Sequence, residues 1–84
     1  MIYKVVILRN VVRQLEKLPA KDYHAIKLKI LALAENPRPG GCEKLKGREG
    51  FRIRHGNYRI IYDIQETILT VRVIKIGHRK DIYR

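Results

Sequence analysis

The chain is 84 residues long, 45% hydrophobic and 32% charged, with 19 basic against 8 acidic side chains and a formal net charge of +11. That length allows one small domain over residues 1–84 with a modest core, and its apolar content excludes a disordered tail. A globular domain this basic is suited to meet a polyanion or an acidic protein, nucleic acid first, because phosphate contacts supply most non-specific affinity.

The run Ile2-Tyr3-Lys4-Val5-Val6-Ile7-Leu8 is rich in aromatic and β-branched residues and predicts a buried strand. It is shorter than a signal peptide requires and no small-residue cleavage site follows, so a cytoplasmic protein is expected. No apolar run approaches the ~20 residues that span a bilayer, which argues against a membrane role. Asn10 is placed to cap a short helix that puts Val11 or Val12, Leu15 and Leu18 on one side. Pro19 ends that helix or begins the next, which is predicted from about Ala20 to Glu35. Tyr23, Ile26, Ile30, Leu33 and Ala34 form its sheet-facing stripe, and Lys21, His24, Lys27 and Lys29 lie around the other side. The two helices then make a hairpin.

Asn36-Pro37-Arg38-Pro39-Gly40-Gly41 stops the helix and reads as a surface connection. In the stretch that follows, Lys44, Lys46 and Arg48 are either a solvated loop or phosphate contacts. Cys42 has no cysteine to pair with, and it shares no metal-ligand spacing with His24, His55 or His78, so neither a disulfide nor a metal or other cofactor is expected.

Gly56-Asn57 separates two runs of aromatic and β-branched residues, the pattern of a two-residue hairpin loop. That loop pairs His55 with Tyr58, Arg54 with Arg59, Ile53 with Ile60 and Arg52 with Ile61. Because side chains alternate, Phe51, Ile53, His55, Tyr58, Ile60 and Tyr62 share one face, and Arg52, Arg54, Arg59 and Ile61 share the other. Like charges directly across a strand pair repel. Three arginines on one small face therefore call for an anion among them. After Gln65-Glu66-Thr67 the chain enters Ile68–Ile76, apolar on both faces as a central strand would be, with Gly77 allowing a sharp change of direction at its end. The first strand must pair with this last one. The expected fold is therefore α+β, in the order β-α-α-β-β-β, with a small mostly antiparallel sheet, a helical hairpin packed on one face, and an arginine-rich opposite face.

The segments Asn36-Pro37-Arg38-Pro39, Leu45-Lys46-Gly47, Phe51-Arg52-Ile53-Arg54, Asn57-Tyr58-Arg59-Ile60-Ile61-Tyr62, Ile76-Gly77-His78-Arg79 and Ile82-Tyr83 together resemble the RelE branch of the RelE/ParE toxin superfamily. The resemblance covers nearly the whole chain. It implies the toxin of a type II toxin–antitoxin pair, an mRNA interferase that enters the ribosomal A site, cuts message there without metal, and so inhibits translation. In that reaction the 2′-hydroxyl attacks the adjacent phosphate and leaves a cyclic phosphate. The partners implied are the ribosome and mRNA, an acidic RelB-like antitoxin, and operator DNA only indirectly through that antitoxin.

By position, the resemblance makes Arg59 the clamp on the scissile phosphate and Arg52 and Arg54 two basic positions on the preceding strand. Arg79 follows as the basic residue after the last strand, and Tyr83 as a tyrosine acting on the 2′-hydroxyl or stacking on RNA. Lys44, Lys46, Arg48, Lys80 and Arg84 are further candidates for RNA or ribosome contact. The family pattern has lysines where this chain has Arg52 and Arg54. An arginine is not expected to give up its proton, so it can stabilise a phosphorane but not serve as a base. The base is then sought in Tyr83 or in His78, whose unperturbed pKa suits proton transfer near neutrality. Two other readings stand beside this one: a ParE-like inhibitor of DNA gyrase, and a non-catalytic basic module that binds RNA or ribosomes.

Overall fold

The computed structural model describes residues 2–78. Strand β1 (Lys4–Ile7) leads into helix α1 (Arg9–Glu16), helix α2 (Ala20–Ala32), and strands β2 (Glu43–Lys44), β3 (Phe51–His55), β4 (Tyr58–Gln65) and β5 (Thr70–His78). A single 3-10 turn, Glu66–Ile68, joins β4 to β5. The sheet order is β1-β5-β4-β3-β2, parallel between β1 and β5 and antiparallel elsewhere. The α+β architecture is as expected, with one strand added: β2, two residues long, lies in what the sequence presents as a charged loop.

The helices start where backbone geometry permits. Leu8, in extended conformation, occupies the cap position of α1 without a side-chain cap, while Asn10 lies inside the first turn and its Nδ2 donates to the Ile74 carbonyl at 3.4 Å. Asn10 thus ties α1 to β5 instead of capping the helix. Pro19 stands at the cap of α2, and its carbonyl accepts from the Tyr23 N–H at 2.9 Å. Helix α2 ends at Ala32, three residues before the expected Glu35, in tightened turns ahead of the buried Pro37. Residues before a proline are biased away from helical backbone, which shortens such an end.

Val11, Leu15, Ile26, Ile30 and Leu33 pack against Ile53, Ile60, Tyr62, Val71, Val73 and Ile76 in one core. Each fully buried aliphatic chain contributes roughly 1.5–3 kcal/mol against leaving it in water. Tyr62 is buried with its hydroxyl donating to the Pro37 carbonyl at 2.7 Å, and burial holds its pKa far above the usual phenol value. Arg38, from the same connection, donates to Glu66 at 2.7 Å, and the Tyr3 hydroxyl donates to Glu66 at 2.8 Å. The segment between helices and sheet is therefore fastened to β4 through Tyr62 and to the turn after β4 through Glu66.

Candidate functional site

The hairpin register is the one the loop dictates. Arg54 stands opposite Arg59, Arg52 opposite Ile61, Ile53 opposite Ile60 and His55 opposite Tyr58. Gly56 has φ +56°, with Asn57 not in the left-handed region, the pattern of a type II′ turn. In a two-residue hairpin the residues flanking the loop exchange backbone hydrogen bonds, so the next pair, Arg54 and Arg59, falls at a non-hydrogen-bonded position. Side chains are closest there, with Cα atoms about 4.5 Å apart. Two arginine side chains therefore leave the backbone side by side on the sheet face away from the helices.

Arg59 is only 6% exposed, while Arg54 is exposed. On the other flank of Arg59 stands Gly77, which has no side chain to cover it. Gly77 lies within β5, which runs on to His78, so the expected change of direction does not occur there. Lys29 of α2 donates to the Arg54 carbonyl at 2.6 Å, closing part of the β3 edge that β2 does not reach.

Strand β2 brings a carboxylate to this face. Glu43 pairs in register with Arg52, and its Oε2 accepts from the Arg52 guanidinium at 2.6 Å. Its Oε1 lies 3.9 Å from the Arg54 guanidinium. The hydrogen bond from Arg52, then the charges of Arg52, Arg54 and Arg59, hold the Glu43 carboxyl below the usual range. All three arginines thus act on a common point. Among the described residues Glu43 is bonded to one of the three arginines and faces the charges of the other two, a surplus of positive charge within that set.

A bulge in β5 decides two further residues. Ile61 pairs with Lys75 but Tyr62 pairs with Val73, leaving Ile74 as the extra residue. Beyond it the alternation of β5 is reversed. Lys75 moves to the arginine face, diagonal to Arg59, where the sequence alone reads a largely apolar strand. His78 moves the other way: it pairs with Tyr58 on the helix side, with the rings edge to face at 6.0 Å. The structure therefore separates His78 from Arg54 and Arg59, against the sequence expectation that it adjoins them. Glu43 and Lys75 are the members of this face that sequence reasoning missed. Strict alternation could have found neither, since one sits in a two-residue strand and the other beyond a bulge.

Lys44, Lys46 and Arg48 line a groove of about 490 Å³ that continues from Arg52, with Leu45 and Ile61 as its apolar surface. Arg79, Lys80, Tyr83 and Arg84 lie outside the described residues. Chemically, guanidinium groups match phosphate oxygens in geometry and remain charged, so the arginines of this face are of the type that binds phosphate.

Comparison with known proteins bears on the family and the fold. Residues 5–83 match the family model described as the ParE toxin of the type II toxin–antitoxin system parDE. The chain is 34% identical over 74 residues to the toxin RelG of Mycobacterium tuberculosis, covering 86% of this chain and 85% of that one. The RelE–RelB complex of the archaeon Pyrococcus horikoshii contains a chain that superposes with a TM-score of 0.86 at 29% identity, covering 96% of this chain and 99% of the other. The RelB–RelE antitoxin–toxin complex of Methanococcus jannaschii gives a TM-score of 0.77 at 28% identity, with 93% and 94% covered.

Proposed function

The chain belongs to the RelE/ParE superfamily of type II toxins, in its RelE branch, and from that premise we propose that it is a ribosome-dependent endoribonuclease that cuts mRNA in the A site. The observation that carries the proposal is the Arg54–Arg59 pair, two cations at facing positions on β3 and β4 on the sheet side away from the helices, with the Glu43 carboxylate, bonded to Arg52, beside them. Such an arrangement costs stability unless an anion resolves it.

In the proposed reaction Arg54 and Arg59 grip the scissile phosphate. The ribose 2′-oxygen forms a bond to phosphorus, the bond to the 5′-oxygen breaks, and the products are a 2′,3′-cyclic phosphate and a 5′-hydroxyl. Charge on the non-bridging oxygens rises in the transition state, where fixed donors act most strongly. Arg79 would add to that stabilisation, and Arg52, already paired with Glu43, would act mainly in orientation. The proton leaves the 2′-hydroxyl for a base other than arginine. With His78 on the helix side, Tyr83 is the residue we assign. Placement of the message by the ribosome supplies much of the remaining barrier reduction.

An acidic, RelB-like antitoxin is the proposed partner. RelE-type chains occur in complexes with RelB in the solved structures, and a domain of +11 should attract an acidic chain with a salt-sensitive on-rate. The outer side of the helical hairpin supplies apolar anchor points: Leu28 is 69%, Leu31 50% and Val12 41% exposed.

Arg59→Ala is expected to abolish growth arrest and to lower mRNA cleavage by about 10²–10³-fold, while antitoxin binding persists. Retained toxicity in a folded Arg59→Ala protein removes Arg59 from the mechanism. A second reading is kept because the matching family model is named for ParE: poisoning of DNA gyrase. Primer extension on mRNA after induction, beside a supercoiling assay, separates the two. Cuts at ribosome-spaced positions support the nuclease, and DNA damage with intact message supports the gyrase reading.

A further inference from the structure

Ile61 projects to the open face, between Arg52 on β3 and Lys75 on β5, yet is only 4% exposed. What accompanies it is Leu45, carried back over the sheet by the turn between β2 and β3. That turn is fixed: the Leu45 N–H donates to the Gly50 carbonyl at 3.0 Å, and Gly50 has φ +123°. A Cβ at Gly50 would sit 3.1 Å from Leu45 Cδ1 and 3.2 Å from the Tyr62 carbonyl oxygen. The apolar floor made by Leu45 and Ile61 is therefore built into the fold. Around it stand the cations Lys44, Lys46 and Arg48, and at the end nearest the arginine pair stands the bonded couple Arg52–Glu43.

We propose that this groove seats the nucleobase adjoining the phosphate held by Arg54 and Arg59, with the Glu43 carboxylate accepting a hydrogen bond from the amino group of the base. The proposal rests on the RNA reading above and adds a base-recognition site to it. Arg52 and Arg54 are two residues apart on one strand face, about 7 Å, so phosphate grip and groove lie within the span of a single nucleotide. A flat ring with an apolar face and a polar edge suits an aliphatic floor with charged walls. Single-stranded RNA is recognised in this way, by stacking on side chains, guanidinium planes included, and by hydrogen bonds to the base edges. Arg52 can offer such a plane, held in orientation by Glu43.

The carboxylate sets the specificity. Glu43 only accepts hydrogen bonds, and with Oε2 on Arg52 it retains lone pairs for a second donor. Cytosine presents its N4 amino group as a donor. Uracil has an acceptor oxygen at the same place, which a carboxylate repels. Cytosine and uracil, alike in size and differing at that one atom, make the test pair.

The experiment is an NMR titration of the full chain, isotopically labelled, with ribose 5-phosphate, cytidine, CMP and UMP. Ribose 5-phosphate should shift Arg54 and Arg59 side-chain signals and leave the Leu45 and Ile61 methyls in place. CMP should shift both sets and bind about fivefold more tightly than UMP. In Glu43→Gln, whose amide can donate as well as accept, that preference should fall to parity or reverse. If neither cytidine nor either nucleotide moves Leu45 and Ile61, the proposal is overturned, whatever the arginines do. If cytidine moves those methyls while ribose 5-phosphate leaves the arginines unmoved, the groove stands and the phosphate grip fails. A preference for CMP that survives unchanged in Glu43→Gln removes the carboxylate from base reading.

Discussion

Besides Arg52, which faces Glu43, the sheet side away from the helices carries two cross-strand arginine positions filled with opposite partners. At one end Arg72 on β5 faces Asp63 on β4 and grips it with two hydrogen bonds, Nε at 3.0 Å and a terminal nitrogen at 2.5 Å. At the other end Arg59 on β4 faces Arg54 on β3. Opposite charges across a strand pair stabilise it and like charges destabilise it, each by up to about 1 kcal/mol. The first end is what a sheet does for its own stability. The second gives up stability at the place where an anion is expected to bind, as functional sites commonly do. An arginine count along the sequence treats Arg72 and Arg54 as equals. The register shows that only one of them has its charge answered by the strand opposite.

Replacing Arg54 breaks the contrast most sharply. In Arg54→Gln the hairpin end loses its repulsion, so the melting temperature should rise by about 2–4 °C, while ribosome-dependent cleavage falls by about 10²-fold or more. Stability and activity moving in opposite directions is the expected signature, read by thermal denaturation and by primer extension on the same preparation. A variant that loses both would mean that Arg54 supports the fold instead. Arg72→Gln is the mirror experiment, with a smaller effect. It should lower the melting temperature by about 2–5 °C, as loss of an ion pair at a strand surface does, and leave cleavage within about twofold of the parent protein. A large loss of cleavage in Arg72→Gln would extend the site across the whole face and erase the distinction.

The hairpin end was legible in the sequence because its determinants are local. Gly56-Asn57 fixes the loop length, loop length fixes the register, and the register puts Arg52, Arg54 and Arg59 on one side. The β-α-α order and the stripe of Ile26, Ile30 and Leu33 were equally readable from periodicity. What escaped was set at a distance. The bulge at Ile74 arises between β4 and β5, 10 or more residues apart in the chain, and it alone sends Lys75 to the arginine face and His78 to the helix side. Strand β2 is too short to show alternation, so Glu43 read as part of a loop. Asn10 has the composition of a cap, yet its side chain donates to the Ile74 carbonyl on β5 at the surface. Tyr83 and Arg79, argued from resemblance, lie outside the described residues.

Acid should pull the two ends apart in opposite senses, which is the finest test of the comparison. The Arg72 guanidinium holds the Asp63 carboxyl below its ordinary value, so the pair's contribution is fully present above the unfolded aspartate pKa of about 3.9 and is lost as pH falls through the lower folded value. The stability deficit of Arg72→Gln should therefore be constant near neutrality and shrink towards zero in acid. At the hairpin end the titrating group is Glu43, also held low, by Arg52 first and by Arg54 and Arg59 beyond it. Protonating Glu43 removes the carboxylate that offsets the arginines while their own charges stay. The stability advantage of Arg54→Gln should then grow over the same acid range in which the Arg72→Gln deficit disappears. Denaturant melts of the two variants and the parent between pH 3 and pH 7, read as stability differences, check this directly. Parallel behaviour of the two differences would mean that Glu43 does not balance the hairpin arginines, and that the surplus of charge assigned to that end is misplaced.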